Sequence, residues 1–377
     1  MTSPFVTKLL AELDATVDLE AKAILSAELG CYWARVGEFA ESERIRQELR
    51  RDFGDARSVR VSILIMVIEA LQLYYKDLSP IARDRMLRAS LLSKGFHEQG
   101  LIGRTSAWLA HMELNSARFD SMILELKSSL TSMTPGDDAT ECRVALVLGD
   151  ACLISGLAAQ SQLWYEQARR AANRLGDHAA VGAMTYNRAA LRVARCRYEK
   201  VTETSSTADT SLLRLDVESA INYQSVARLR SLEHLLTTTK VGLLLIQDDC
   251  AAAIPHIEGL LASSEVPSQS AQRSLLMSDY AFSLAKTGDL ERAWTQLQSV
   301  LAGLPKSIPS DDFCLILASL RDAAALCNRE ELRVGLNSRL SAAVSAHESI
   351  TSDLRPKLLE FELPAMERAR AQTTRNE

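Results

Sequence analysis

Aromatic residues are scarce in this chain: Phe, Trp and Tyr together make up 5% of its 377 residues. Strands favour aromatic and β-branched residues, whereas Ala and Leu, which are plentiful here, favour helices. The composition therefore disfavours a β-sandwich and predicts a helical fold. The length exceeds what one simple core supports, so we expect one long repeat structure or two lobes.

Excess positive charge and long apolar runs are also lacking. The formal net charge is −5, which implies no general attraction to nucleic acid or to an anionic membrane. The most apolar windows, 61–73 and 241–246, are too short or too interrupted to span a bilayer. Residues 1–13 hold no basic stretch followed by an apolar run, so no secretory signal is visible. We expect a cytoplasmic protein.

No CxxC pair occurs, and the seven cysteines are odd in number and widely scattered. Most of them lie in apolar helical patterns, where a free thiol behaves as a small hydrophobe. A reducing compartment is the simpler interpretation. The cysteines are Cys31, Cys142, Cys152, Cys196, Cys250, Cys314 and Cys327.

Catalytic and metal-binding motifs are absent as well. The sequence has no H-E-x-x-H, G-x-S-x-G, P-loop or G-x-G-x-x-G motif, and no His is spaced with a second His or Cys as in a metal site. We therefore predict no catalytic residue, no metal and no cofactor. The tryptophans are interpreted as packing residues, although an apolar groove could use one as an anchor: Trp33, Trp108, Trp164 and Trp294.

A small residue recurs at a step of about forty within helix-length apolar segments, which is the mark of a stacked repeat architecture. These positions are Gly30, Ala70, Ala110, Gly149, Ala189 and, after one irregular step, Ala281. Seven residues later comes a turn-like break at Gly37-Glu38, Asp77-Leu78, Ala117-Arg118, Gly156-Leu157, Cys196-Arg197 and Gly288-Asp289. Two further breaks, Asp248-Asp249 and Asn328-Arg329, continue the series. A small residue at such a position lets two helices approach closely.

The breaks divide the chain into couplets of predicted helices. These are 19–36 with 38–53, 59–76 with 80–95, 100–116 with 119–132, 140–155 with 158–175, a fifth starting at 178–195, 231–247 with 250–263, 270–287 with 290–304, and 311–327 with 330–349. A last helix, 353–370, is expected to cap the stack.

The weak point of the pattern is 199–213, which is polar and poor in core-forming residues. We interpret it as an inserted loop, or as a degraded helix with a lengthened connection. The predicted organisation is therefore an N-terminal lobe at 1–201, a polar linker at 202–211, and a C-terminal lobe with a capping helix at 212–377.

These markers resemble the tetratricopeptide repeat family over most of the chain. The best match is 145–152 followed by Gly156, Ser161, Tyr165 and Ala168, and the next best is 280–293 with Pro305. Weaker matches are Leu29-Gly30 with 37–39, and 186–189 with 197–200. The usual unit is about 34 residues, so this longer step resembles the longer-helix members that act as bacterial regulators and peptide or protein sensors. A HEAT-like stack is the structural competitor, but the Gly-Asp turns with a downstream Ala favour the tetratricopeptide form.

The resemblance implies an all-α, right-handed α-solenoid of about seven or eight antiparallel helix pairs. It also implies that the first helices line a concave groove, in which Asn187 is placed to hold a peptide backbone. The Lys array that grips a terminal carboxylate in the clamp subclass is missing, so a chaperone-tail clamp is disfavoured. The candidate groove residues are Arg104, His111, Asn115, Arg143, Asp150, Tyr186 and Asn187.

From this fold we expect a non-catalytic scaffold or adaptor that binds another protein or a peptide in its groove. The alternative is a ligand- or peptide-sensing regulator, in which binding changes the curvature of the solenoid and so controls an effector. Neither nucleic acid nor a membrane is an expected partner.

Overall fold

The computed structural model describes residues 3–54, 57–203, 209–231, 233–263, 266, 270–306 and 308–361. Over these ranges the protein is all-helical, without a strand. Its helices are α1 (Pro4–Ala15), α2 (Leu19–Val36), α3 (Phe39–Phe53), α4 (Val59–Asp77), α5 (Pro80–Gly95), α6 (Gln99–Asn115), α7 (Phe119–Ser132), α8 (Asp138–Ile154), α9 (Ala158–Leu175), α10 (His178–Val201), α11 (Thr210–Ala227), α12 (Glu233–Ile246), α13 (Cys250–Ala262), α14 (Ala271–Lys286), α15 (Leu290–Ala302), α16 (Ser310–Leu326) and α17 (Glu330–Leu359).

The all-helical prediction is confirmed, and four predicted helices have the same bounds as α2, α5, α7 and α9. Three elements differ from expectation. Helices α1 and α11 were not predicted, and α11 occupies much of the segment that follows the polar weak point. The predicted break between 349 and 353 is wrong, because α17 continues through it as one helix of 30 residues.

The turns that end the first helices share one backbone conformation. Seven of the eight predicted breaks contain a residue with positive φ: Gly37 (89°), Leu78 (53°), Ala117 (53°), Gly156 (78°), Asp248 (59°), Gly288 (94°) and Asn328 (55°). In six of these turns the next amide donates to a carbonyl five residues back, as from Glu38 to Trp33 at 2.9 Å and from Leu157 to Cys152 at 2.8 Å. This pattern is the Schellman helix end, which reverses the chain while satisfying carbonyls at the helix terminus.

The eighth predicted break, at Cys196-Arg197, is wrong. Helix α10 runs through it to Val201, and positive φ follows at Glu203 (53°), just after the helix. Within this longer helix, the Arg197 guanidinium donates two hydrogen bonds to Asp279, at 3.0 and 2.6 Å.

The recurring small residues lie where two paired helices touch. All six are buried. Ser42 on α3 donates to the Gly30 carbonyl at 2.8 Å, and Ser161 on α9 donates to the Gly149 carbonyl at the same distance. A Cβ at Gly149 would lie 3.1 Å from Tyr165 Cδ1. The small residue is thus required by the approach of the second helix.

The chain forms two compact units. The first comprises Met1–Thr185, Asn222–Leu232 and Leu354–Glu377, and the second comprises Tyr186–Ile221 and Glu233–Asp353. The expected lobes, 1–201 and 212–377, remain a prediction, and 204–208 of the expected linker lie outside the described residues.

Each unit stacks its helix pairs in chain order. In the first unit α2 packs against α3 and α4, α4 against α5, and α6 against α7 and α8. In the second unit α14 packs against α15 and α16. The first helix of each of these pairs therefore lies beside the first helix of the next pair. Helix α8 is buried around its whole circumference from Thr140 to Leu153.

The C-terminal turns of α17 pack against other helices of the first unit. Leu354 and Leu358 are buried there. Arg355 Nε donates to the Ser155 carbonyl at 2.7 Å, and Lys357 pairs with Asp120. The part of the expected capping helix at 362–370 lies outside the described residues. Among the helices that the structure describes, none combines the length and apolarity needed to cross a membrane.

Replacing Gly149 by Leu should destabilise the protein by about 1–3 kcal/mol, through overpacking. The ring of Tyr165 cannot move aside easily, since its hydroxyl donates to Asp150 Oδ1 at 2.6 Å. The matched control is Gly335→Leu on α17, where an added Cβ meets nothing within 4 Å. That change should be neutral or stabilising by up to about 1 kcal/mol, because glycine is a poor helix former. Equal urea midpoints for the two variants would contradict the assigned contact.

Candidate ligand-binding site

Two of the predicted groove residues on α6 and α8 already have partners inside the protein. Arg104 forms an ion pair with Glu28 of α2. Asp150 is buried and accepts the hydrogen bond from Tyr165. Both side chains therefore tie neighbouring helices together in this conformation.

Three other predicted residues come together with Tyr74 and Trp108. Asn115 Nδ2 donates to the His111 carbonyl at 2.8 Å and to Tyr74 Oη at 2.9 Å. Tyr74 Oη lies 3.0 Å from His111 Nε2. The donor in this contact depends on the histidine tautomer: when Tyr74 donates to Nε2, the imidazole proton lies on Nδ1.

The indole of Trp108 joins this network to Arg143. The Arg143 guanidinium carbon lies 3.6 Å from the centre of the Trp108 ring, and the imidazole of His111 meets the same indole edge-on at 5.8 Å. Among aromatic side chains, the indole of Trp forms the strongest cation–π contacts. Helices α4, α6 and α8, three successive first helices, thus contribute one continuous cluster, which we call the Arg143 cluster: Tyr74, Trp108, His111, Asn115 and Arg143.

The Arg143 cluster runs from the surface into the interior. Asn115 is exposed and Tyr74 is half-buried. Trp108 is 7% exposed, and His111 and Arg143 are each 5% exposed. The charged end of the cluster is therefore the end most removed from water.

Burial controls the charge of His111. Desolvation, aided by the positive charge of Arg143, holds the pKa of His111 well below its ordinary value. The imidazole is neutral at pH 7, and its Nδ1 has no hydrogen-bond partner among the described residues.

Arg143 is the unusual member of the cluster. Its Nη1 is buried without a hydrogen-bond partner in the described part of the chain. The nearby carboxylate of Glu141 forms an ion pair with Arg174 instead, at 3.0 Å. Burial raises the pKa of the Cys142 thiol to about 12, so that thiol supplies no negative charge at neutral pH.

Tyr186 and Asn187 lie on α10 and belong to the second unit. Both are partly exposed. Tyr186 packs against the core that includes Ala189 and Val193. Of the seven predicted groove residues, the structure brings His111, Asn115 and Arg143 into one cluster.

The second unit contains a cavity of about 100 Å³ lined in part by Arg197, Lys200, Phe282 and Ser319. The Arg197 guanidinium already has a partner, because it donates to Asp279. Asp279 also accepts a hydrogen bond from Ser319 at 2.8 Å. Lys200 Nζ donates to the Ile246 carbonyl. Arg197, Lys200 and Ser319 thus already have partners inside the second unit.

Thiol and metal chemistry find little support in the residues with described positions. Burial raises the pKa of Cys31, Cys152 and Cys314 to about 12, so these thiols are poor nucleophiles at neutral pH. Within the same residues, no group of three or more His, Cys, Asp or Glu side chains could hold a metal ion.

The sequence interpretation missed Tyr74 and treated Trp108 as packing. Tyr74 precedes His111 by 37 residues, nearly one repeat step. Aromatic side chains also follow the small residue on α2, at Tyr32 and Trp33. A comparison of the positions just after each small residue would have singled out Tyr74 before any coordinates existed.

Comparison with known proteins assigns the chain to no family. No family model matches the chain, and no curated protein matches it significantly. The tetratricopeptide likeness thus rests on the motifs and on the repeated helix pairs.

The low pKa of His111 predicts an acid-dependent loss of stability. An unfolded histidine titrates near 6.5, and folding lowers this pKa. The unfolded state therefore binds more protons below about pH 6.5, and unfolding becomes easier as the pH falls further, by up to about 1.4 kcal/mol per pH unit for one proton. His111→Gln should lose less stability than the wild type between pH 8 and pH 5.

The difference at pH 8, where His111 is neutral in both states, measures the packing cost of the substitution. Urea unfolding at several pH values then separates that cost from titration. Parallel stability profiles for the two proteins would contradict the assigned protonation state.

Proposed function

We propose that this protein is a non-catalytic scaffold or adaptor that binds a segment of another protein. The observation that carries the proposal is the repeated helix pair, in which first helices lie side by side and end in the same left-handed turn. Repetition of one unit creates a long continuous surface rather than a catalytic cleft. The proposed arrangement is a right-handed, tetratricopeptide-like solenoid of about seven or eight helix pairs.

The solvent end of the Arg143 cluster supplies the proposed contacts. Asn115 and Tyr74 come from adjacent first helices, and they offer an amide and a phenol at the surface. Such groups can hydrogen-bond to the backbone or the side chains of an extended or helical segment. Aromatic anchors contribute strongly to such interfaces. The partner is therefore proposed to be a protein or peptide and not nucleic acid or a membrane, in a reducing, cytoplasmic compartment.

A second candidate function is a ligand-sensing regulator. The burial of His111 and Arg143 favours it, because a ligand that reaches them must change the packing of α4, α6 and α8. A ligand that prefers one packing over another shifts the population of the two. In a stack of helix pairs, such a shift would alter the curvature and so control the capture of an effector.

Substitution of Asn115 tests the proposed contact surface. A partner is first isolated by affinity purification with mass spectrometry, and its binding to the purified protein is then measured directly. Asn115→Ala should weaken that binding by roughly fivefold or more, the loss expected for a contact worth about 1 kcal/mol.

The control is Gln162→Ala, which removes an exposed amide from the second helix α9. Circular dichroism should show unchanged helix content in both variants. Weaker binding by Gln162→Ala together with full binding by Asn115→Ala would place the contact on the second helices and overturn the proposal.

A further inference from the structure

Arg143 is a buried cation without a counter-ion among the described residues. Transfer of a charge into the protein interior is unfavourable by several kcal/mol unless the charge is paired and hydrogen-bonded. The stack on Trp108 at 3.6 Å offsets part of this cost. No ion pair or hydrogen bond to Arg143 occurs among the described residues, and its Nη1 is one of the few buried side-chain polar atoms there without a partner.

Arg35 on α2 shows how the same unit treats another buried arginine. Its Nη1 lies 2.7 Å from Asp177 Oδ2, and both side chains are nearly inaccessible. Asp177 also caps α10, since its Oδ1 accepts from the Ala180 amide at 3.0 Å. The first unit therefore does supply a carboxylate where a buried guanidinium serves only packing. Arg143 differs from Arg35 because no carboxylate among the described residues pairs with it.

Two unused donors lie around the Trp108 indole. One is Arg143 Nη1, and the other is His111 Nδ1, which carries the imidazole proton when Tyr74 donates to Nε2. From these contacts we infer that Arg143, His111 and Trp108 bind the carboxylate group of a small organic acid. The carboxylate would accept from both donors, neutralise the guanidinium, and lie against the indole and phenol rings. This inference rests on these contacts and not on the proposed protein partner.

The donor set and the burial favour a small carboxylate over other anions. One guanidinium and one neutral imidazole supply a single positive charge, which suits a monoanion, whereas a phosphate dianion needs more donors. The 5% exposure of Arg143 and His111 favours a ligand of a few atoms over a peptide tail. The aromatic walls suit a flat acid.

The test uses the whole chain with acetate and benzoate as probes, at constant ionic strength and constant pH. Both acids should raise the thermal midpoint of the wild type and change its tryptophan fluorescence. Acetamide, which has the shape of acetate without its charge, should do neither. Arg143→Met should bind both acids roughly tenfold more weakly or worse, the loss expected when a charged hydrogen bond is removed.

The same variant makes a prediction without any ligand. Arg143→Met keeps much of the side-chain volume and removes the uncompensated charge, so its urea midpoint should be higher than that of the wild type. Arg35→Met is the matched control. It leaves Asp177 buried without its cation, so its midpoint should fall.

Several outcomes would overturn the inference. One is a fall in stability for Arg143→Met that equals the fall for Arg35→Met, together with no response of the wild type to either acid. Equal responses to acetate and acetamide would remove the role of charge, and this comparison decides the matter even if Arg143→Met does not fold. Tighter binding of phosphate, or of N-acetyl-tetraalanine with a free terminal carboxylate, would exclude a small organic acid as the ligand.

Discussion

The close approach of paired helices at one small residue is the constraint on which the rest of this structure depends. At Gly30 and Gly149 the second helix lies so near that its serine hydroxyl reaches the glycine carbonyl. Seven residues later the chain must reverse, and a left-handed residue does so. These two requirements fix the angle and register of each pair. Successive pairs can then stack in the same way, since every pair presents similar faces.

Stacking has an electrostatic consequence for the helices in the middle of a unit. Helix α8 touches neighbours on every side, so each polar residue on it must find a partner inside the protein. Glu141 is paired with Arg174, and Asp150 with Tyr165. Arg143 instead stacks on Trp108. Within the described part of the chain, Arg143 Nη1 has no hydrogen-bond partner, and the proposed carboxylate would supply one.

Surface and interior could act together if both proposals hold. In these proposals Asn115 and Tyr74 would contact the protein partner, and His111 and Arg143 would bind the small acid. The hydrogen bonds that join Asn115, Tyr74 and His111 would pass a change at one end to the other. Such coupling would be reciprocal, because a ligand that strengthens partner binding must itself bind more tightly to the complex.

The sequence by itself determined the helical class, the helix pairs and seven of the eight turns, because helix periodicity, small residues and turn-forming residues act over short distances along the chain. It also placed His111, Asn115 and Arg143 among the candidate residues. Only the tertiary structure revealed that α10 passes through Cys196-Arg197 and that Arg197 pairs with Asp279, 82 residues away. Tertiary contacts likewise decided that Arg104 pairs with Glu28 and that Arg143 Nη1 lacks a hydrogen-bond partner among the described residues. Whether a buried charge is compensated depends on groups that packing brings together from distant parts of the chain, and local sequence patterns carry no record of them.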